Sequence, residues 1–285
     1  MVSSDSKNQN EDVFKEIFKR GSRTYFNSSI FFPKSVRRDV FILYGFVRVA
    51  DDFVDVVPQK KEEFLSFCES YRTALSGEKV DDIIIDSFVD LMRRKDFDPQ
   101  WVEDFLYAME LDLTKKNYNR LEETLEYIHG SAEVIGLFMA KILDLPKESY
   151  FAAERLGRAM QYINFIRDIK EDIKYGRRYL PLFDFNLNSL KKEETVQKKA
   201  EFKKFINTQI DYYFKWQQEA ESGFKYIPKR YLIPIKTASD MYNWTALKIK
   251  DNPFIIYEEK VKPSKIKIFT NVLKNTFWSG VKANE

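Results

Sequence analysis

The sequence predicts an all-α fold on three observations: only 9 Gly and 9 Pro occur in 285 residues, apolar residues recur at spacings of three and four, and period-two alternation of Val, Ile and Thr is hard to find. This periodicity predicts helices over 11–20 and 22–30, then 35–56 after the break at Phe32-Pro33. Helix 60–76 stops at Ser76-Gly77, 81–94 fills the gap before Asp98-Pro99, and that pair opens 99–116. Helix 121–143 ends ahead of Leu145-Pro146, and 148–174 is closed by Tyr175-Gly176. Helix 192–225 stops before Ile227-Pro228, 229–250 before Asn252-Pro253, and 262–277 comes last. Composition does not shift across these breaks, so 13–285 reads as a single helical domain and the polar stretch 1–12 as a disordered tail.

Lys and Arg total 47 against 44 for Asp and Glu, a net charge of +3 that is too small to imply nucleic-acid binding, and none is expected. Cys68 is the only cysteine, so no internal disulfide forms and a reducing, cytoplasmic setting is expected. His129 is the only histidine, which leaves oxygen ligands for any metal and points to Mg²⁺, Mn²⁺ or Ca²⁺ rather than zinc. The N-terminus has no secretory pattern, and no apolar run approaches the roughly 18 to 20 residues that span a bilayer. A soluble protein is expected; Phe269, Phe277 and Trp278 near the basic C-terminal helix read first as ordinary packing, with peripheral membrane contact as the alternative. The 25 Phe and 16 Tyr predict an interior lined by rings, suited to a greasy ligand or simply to an aromatic core.

Chemistry concentrates in two acidic segments. In FILYGFVRVADDFVD, the four-residue step from Asp51 to Asp55 places both carboxylates on one helical face, with Asp52 between them. Like charges at that spacing repel, so either Arg48 one turn earlier or a hard divalent cation must compensate. In QYINFIRDIKEDIKYGRRYLP, Asn164, Asp168 and Asp172 recur every four residues, while Tyr162, Ile163, Ile166 and Ile169 bury the helix elsewhere. If the two helices face each other across a bundle, they form two walls of one cavity, between which a diphosphate could be bridged by metal ions.

Four blocks in order, GSRTYFNSSIFFP, RRDVFILYGFVRVADDFVD, YIHGSAEVIG and MQYINFIRDIKEDIKYGRRYLP, give the chain its resemblance to the phytoene/squalene synthase family, most of all to its phytoene synthases. The resemblance implies a class I isoprenoid synthase helical bundle with a central cavity, and a transferase that condenses two isoprenoid diphosphates head to head. It implies Mg²⁺ as cofactor, with Mn²⁺ as the alternative, held by Asp51, Asp52, Asp55, Asn164, Asp168 and Asp172. It also implies diphosphate contacts from Ser22, Arg23, Thr24, Arg48, Gln161, Asn164, Arg167, Arg177 and Tyr179. Tyr44 and Tyr127 fall at catalytic positions beside the four motif aspartates Asp51, Asp55, Asp168 and Asp172. Lys260, in YEEKVKPSK, matches a C-terminal phosphate ligand only weakly.

The expected reaction joins two geranylgeranyl diphosphates into phytoene through a cyclopropyl diphosphate. The alternative is squalene or dehydrosqualene synthesis from farnesyl diphosphate, with NADPH needed only for squalene. A non-catalytic assembly factor of the same fold and a chain-elongating prenyltransferase are the readings from other classes. The complete ligand set argues against the first, and the NxxxDxxxD motif with GRRYLP against the second. Where many family members read valine-alanine-glycine, this chain has Ser131, Ala132 and Glu133, which leaves the shape of the prenyl channel and the chain length open. Oligomeric state is not legible.

Overall fold

The breakers read from the sequence stop helices in the computed structural model, which describes residues 4–21, 29 and 32–281. In chain order the first helices are α1 (Ser4–Gly21), α2 (Lys34–Asp55), α3 (Lys61–Ser76), α4 (Ile83–Lys95) and α5 (Pro99–Thr114). Next come α6 (Leu121–Ile128), α7 (Val134–Ile142), α8 (Tyr150–Arg167), α9 (Ile169–Lys174), α10 (Lys192–Gln197) and α11 (Lys199–Glu221). The last are α12 (Lys229–Asp251), the short α13 (Ile255–Glu258) and α14 (Lys265–Val281). No strand occurs among the described residues, only a parallel bridge between Asn117 and Arg178. Helix starts obey capping chemistry: Asp98 accepts from the Gln100 amide at 2.9 Å with Pro99 next in the chain, and Asp82 accepts from Ile84 at 2.8 Å.

The core is one apolar cluster crossing nearly every helix. At its centre Phe46 of α2 stacks on Phe88 of α4, with ring centroids 3.8 Å apart. Helix α1 lays the buried Phe14 and Phe18 against α2. It begins at Ser4, so residues 4–12, expected to be a disordered tail, are helical; those turns propagate backward from a turn anchored by Phe14.

Three expected helices are interrupted. The span 121–143 contains a π turn, His129–Glu133, between α6 and α7. Such a turn adds a residue and rotates α7 relative to α6, a change that apolar spacing hardly registers. The span 148–174 breaks at Asp168, whose φ of −98° and ψ of 11° leave the helix while its carbonyl accepts from the Glu171 and Asp172 amides. The span 192–225 breaks at Lys198 and ends at Glu221.

Helix α8 approaches α7 and the π turn before it closely because they meet at glycines. A Cβ on Gly157 would stand 2.3 Å from the Ala132 carbonyl oxygen, and one on Gly136 would stand 2.3 Å from that of Ala153. In an open helix Gly→Ala gains about 1 kcal/mol. Here Gly157→Ala is expected to lose about 2 kcal/mol through overpacking against backbone, seen as a lower urea midpoint; a raised midpoint would mean the helices are not in contact there.

Candidate active site

The apolar face of α2 fixes its acidic end. Ala50 and Val54 are fully buried, which leaves Asp51 half-buried and Asp52 and Asp55 exposed on the other sides of the helix end. Arg48 donates to Asp51 at 2.9 Å and also pairs with Asp52. One turn earlier, Tyr44 stacks on Phe18 with centroids 4.1 Å apart. Burial, then the charge of Asp55, pushes the Asp51 carboxyl well above the usual carboxylate range despite Arg48.

The second acidic wall is bent rather than straight. Asn164 lies on α8, Asp168 at the junction and Asp172 on α9. Arg167 donates to Asp168 through Nε at 2.9 Å, and Lys260 approaches the same carboxylate at 3.5 Å while pairing with Glu171. The weakly matched Lys260 thus stands at the second motif. Burial and the neighbouring Asp168 push the Asp172 carboxyl up to about 8.

Arg177 joins the two walls. The turn before it uses Gly176 at φ +68°, and the Asn117–Arg178 bridge clips the segment onto the chain leaving α5. Its guanidinium donates to Asp55 Oδ1 at 2.9 Å and to the Val54 carbonyl at 3.0 Å. The same group lies 4.0 Å from Asp112, which the motifs do not include. Asp112 is 2% exposed and accepts from the Tyr127 hydroxyl at 2.7 Å and the Tyr179 hydroxyl at 2.8 Å. Its signal in the sequence is an aspartate on the apolar stripe of α5, below Phe105, Ala108 and Met109, a place where a carboxylate needs partners. Arg178 instead holds the Tyr118 and Leu180 carbonyls, so only the first of the paired arginines faces the acids.

A cavity of about 610 Å³ opens beside these walls. Asp51, Gln161 and Asn164 bring motif oxygens to its lining, while Phe18, Val47, Ile135, Met139, Leu156 and Ile235 make it greasy. Tyr44 lines it too, whereas Tyr127 and Tyr179 do not and are committed to Asp112. Ser22, Arg23 and Thr24 lie outside the described residues.

Two buried polar atoms at the walls lack partners among the described residues: the acceptor Asn164 Oδ1 and the donor Arg177 Nε. An acceptor waiting for a cation and a donor waiting for an anion suit a metal-bound diphosphate. The motif aspartates do not by themselves draw three ligand atoms within 4.8 Å of one another; His129, Glu133 and Glu154 do. That trio is compensated inside the protein. Glu133 pairs with Arg158, lies 3.7 Å from Arg155 and 3.0 Å from His129, whose other nitrogen is 3.3 Å from Asp104. Burial alone would raise the Glu133 carboxyl, yet hydrogen bonds from His129 and Arg158 hold it below the usual range. Glu133 therefore turns away from the channel, and Ser131 and Ala132 line it instead.

Solved structures share this architecture. A dehydrosqualene synthase superposes with a TM-score of 0.83 at 17% identity, covering 96% of this chain and 98% of the other. A squalene synthase of Alicyclobacillus acidocaldarius gives 0.76 at 18%, covering 86% and 95%. The fold is therefore that of the helical isoprenoid synthases of the squalene synthase type. Residues 18–267 match the squalene/phytoene synthase family, and the chain belongs to it. Its sequence is 26% identical over 247 residues to the 15-cis-phytoene synthase of Pantoea ananas, covering 81% of this chain and 79% of that one. Membership makes it a prenyltransferase of the kind that condenses prenyl diphosphates head to head.

Asp112→Ala strands two tyrosine hydroxyls and removes a carboxylate 4.0 Å from Arg177, so a loss of about 3 kcal/mol in urea unfolding and a large fall in turnover are expected. Asp112→Asn, which keeps the shape but offers one acceptor oxygen in place of two, should be milder in stability. Wild-type stability in Asp112→Ala would show that the tyrosines and Arg177 do not depend on it.

Proposed function

We propose that this protein joins two geranylgeranyl diphosphates head to head into phytoene by way of a cyclopropyl diphosphate, and that it depends on Mg²⁺. The observation that carries the reading is the pair of unpartnered atoms, Asn164 Oδ1 on a residue that lines the apolar cavity and Arg177 Nε on the residue that joins the two acidic walls. The likeness to 15-cis-phytoene synthases supports the longer substrate.

Asp51, Asp55, Asn164, Asp168 and Asp172 offer the hard oxygen donors that Mg²⁺ takes. When bound, the ion supplies positive charge against the diphosphate, a poor leaving group until its developing charge is neutralised. Arg48, Arg167, Arg177 and Lys260 stand ready at the same rim, each held by a carboxylate that a diphosphate can replace as partner. Loss of diphosphate leaves an allylic cation at C1 of the first substrate. The C2=C3 bond of the second attacks it, and proton loss closes the cyclopropane. A second loss of diphosphate, rearrangement and a final proton loss give the hydrocarbon. The apolar lining keeps water from the cations, and the negative face of Tyr44 offers them stabilisation without a strong nucleophile.

Purified protein given geranylgeranyl diphosphate and Mg²⁺ should yield a C40 hydrocarbon by mass with no need of NADPH, and chelator should stop it. A C30 product from farnesyl diphosphate alone would move the assignment to dehydrosqualene synthesis, and a C30 product that requires NADPH would move it to squalene. Asp51→Asn or Asp168→Asn is expected to lower turnover at least about a thousandfold with an unchanged helical circular dichroism spectrum; full activity in either would refute the roles given to the walls. Protons compete with the metal at carboxyls whose affinity for them is raised, as at Asp172, pushed to about 8. Apparent Mg²⁺ affinity should therefore climb as pH rises through about 6 to 8 and level off above that, whereas a flat profile would mean Asp172 is not a ligand.

A further inference from the structure

Helix α14 leaves an apolar stripe outside. Its inner face mixes half-buried Ile268 and Val272 with polar contacts: Asn275, 2% exposed, donates to Thr237 at 3.1 Å and to Asp240 at 2.9 Å, and Lys267 lies over the Trp244 ring. Its outer face carries Ile266 at 77% exposure, Phe269 at 63% and Leu273 at 43%. The spacing of three and four residues aligns these side chains in one stripe opposite Asn271 and Asn275. In a soluble helix the apolar stripe faces the core, so this one has its partner elsewhere. The side chains of Phe277 and Trp278 lie outside the described residues.

Charge says what the partner is. The helix, KIKIFTNVLKNTFWSGV, contains no acidic residue, and Lys265 and Lys274 are exposed on it, with Lys262 exposed just ahead. We propose that α14 docks this protein on an anionic lipid surface, its Ile266, Phe269 and Leu273 stripe entering the acyl boundary and its lysines meeting the headgroups. A second copy of the chain fits less well, because a two-fold contact through this face would set lysines against lysines. The position is apt for a lipid-tailed product. Helix α14 packs on α12, which on another side contributes Pro234, Ile235, Ala238 and Tyr242 to the cavity lining, so the docking surface is one helix away from the greasy chamber. The inference rests on the surface of α14 and stands whatever the substrate proves to be.

Co-sedimentation of the purified full chain with vesicles tests it. Binding is expected to vesicles containing phosphatidylglycerol, to be about tenfold weaker on phosphatidylcholine alone, and to weaken with salt. Ile266→Asp with Phe269→Asp should lower binding at least about tenfold while the circular dichroism spectrum and turnover on detergent-dispersed substrate stay as in wild type. Replacing Lys262, Lys265 and Lys274 by Gln should erase the preference for anionic lipid. Wild-type protein that fails to bind phosphatidylglycerol vesicles, or a double aspartate variant that binds them as well as wild type, overturns the proposal. So does a dimer in solution that this variant dissociates while vesicle binding is absent.

Discussion

Carboxylates gathered beside an apolar cavity repel one another, and this structure is organised around holding them there. Arg177 reaches across from the segment after α9 to Asp55 on α2, while Asp112 on α5 lies behind both. Three helical elements and the chain that leaves them are thereby fixed at one place. The carboxylates of Asp51, Asp52, Asp55, Asp112, Asp168, Glu171 and Asp172 still outnumber the cations Arg48, Arg167, Arg177 and Lys260. Burial leads the upward pull on the Asp51, Asp112 and Asp172 carboxyls, and a neighbouring carboxylate adds to it next at Asp51 and Asp172. A site with excess negative charge, an unpartnered amide oxygen and an unpartnered guanidinium nitrogen is prepared for positive ions and a phosphate-bearing ligand together.

Much of this was legible because its signals are local. Helix type and most boundaries come from three- and four-residue spacing, and the breakers at Gly77, Pro99 and Gly176 act within one turn. Asp51 and Asp55 could be read as a pair because four residues make one helical step. The features that escaped depend on contacts between distant segments. Nothing near Asp112 in the chain announces that Tyr127 and Tyr179 will both donate to it, and nothing near Lys260 places it on Asp168. The bend at Asp168 also escaped, because the four-residue interval persists through it while the backbone leaves the helix.

Glu133 shows how a charged residue can stand beside a hydrocarbon channel without entering it. The π turn rotates its side chain toward Arg158 and His129, leaving Ser131 and Ala132 in the wall, and the Gly157 contact keeps α8 tight against that turn. The buried ion pairs and the close helix crossing support each other: moving either would leave Glu133 buried and unpartnered. At α14, too, a polar side chain turns inward, where the Asn275 amide donates to Thr237 and Asp240, while an apolar stripe is left outside.

The central claim is that the two walls act on one ligand together, and a double-mutant cycle on binding tests it most directly. Mg²⁺ would be titrated calorimetrically, in the presence of inorganic diphosphate, into wild-type protein, Asp51→Asn, Asp168→Asn and the double variant. Shared binding predicts that the double variant loses less than the sum of the single losses, by a coupling of at least about 1 kcal/mol. Losses that simply add would show two independent acidic surfaces and contradict the account.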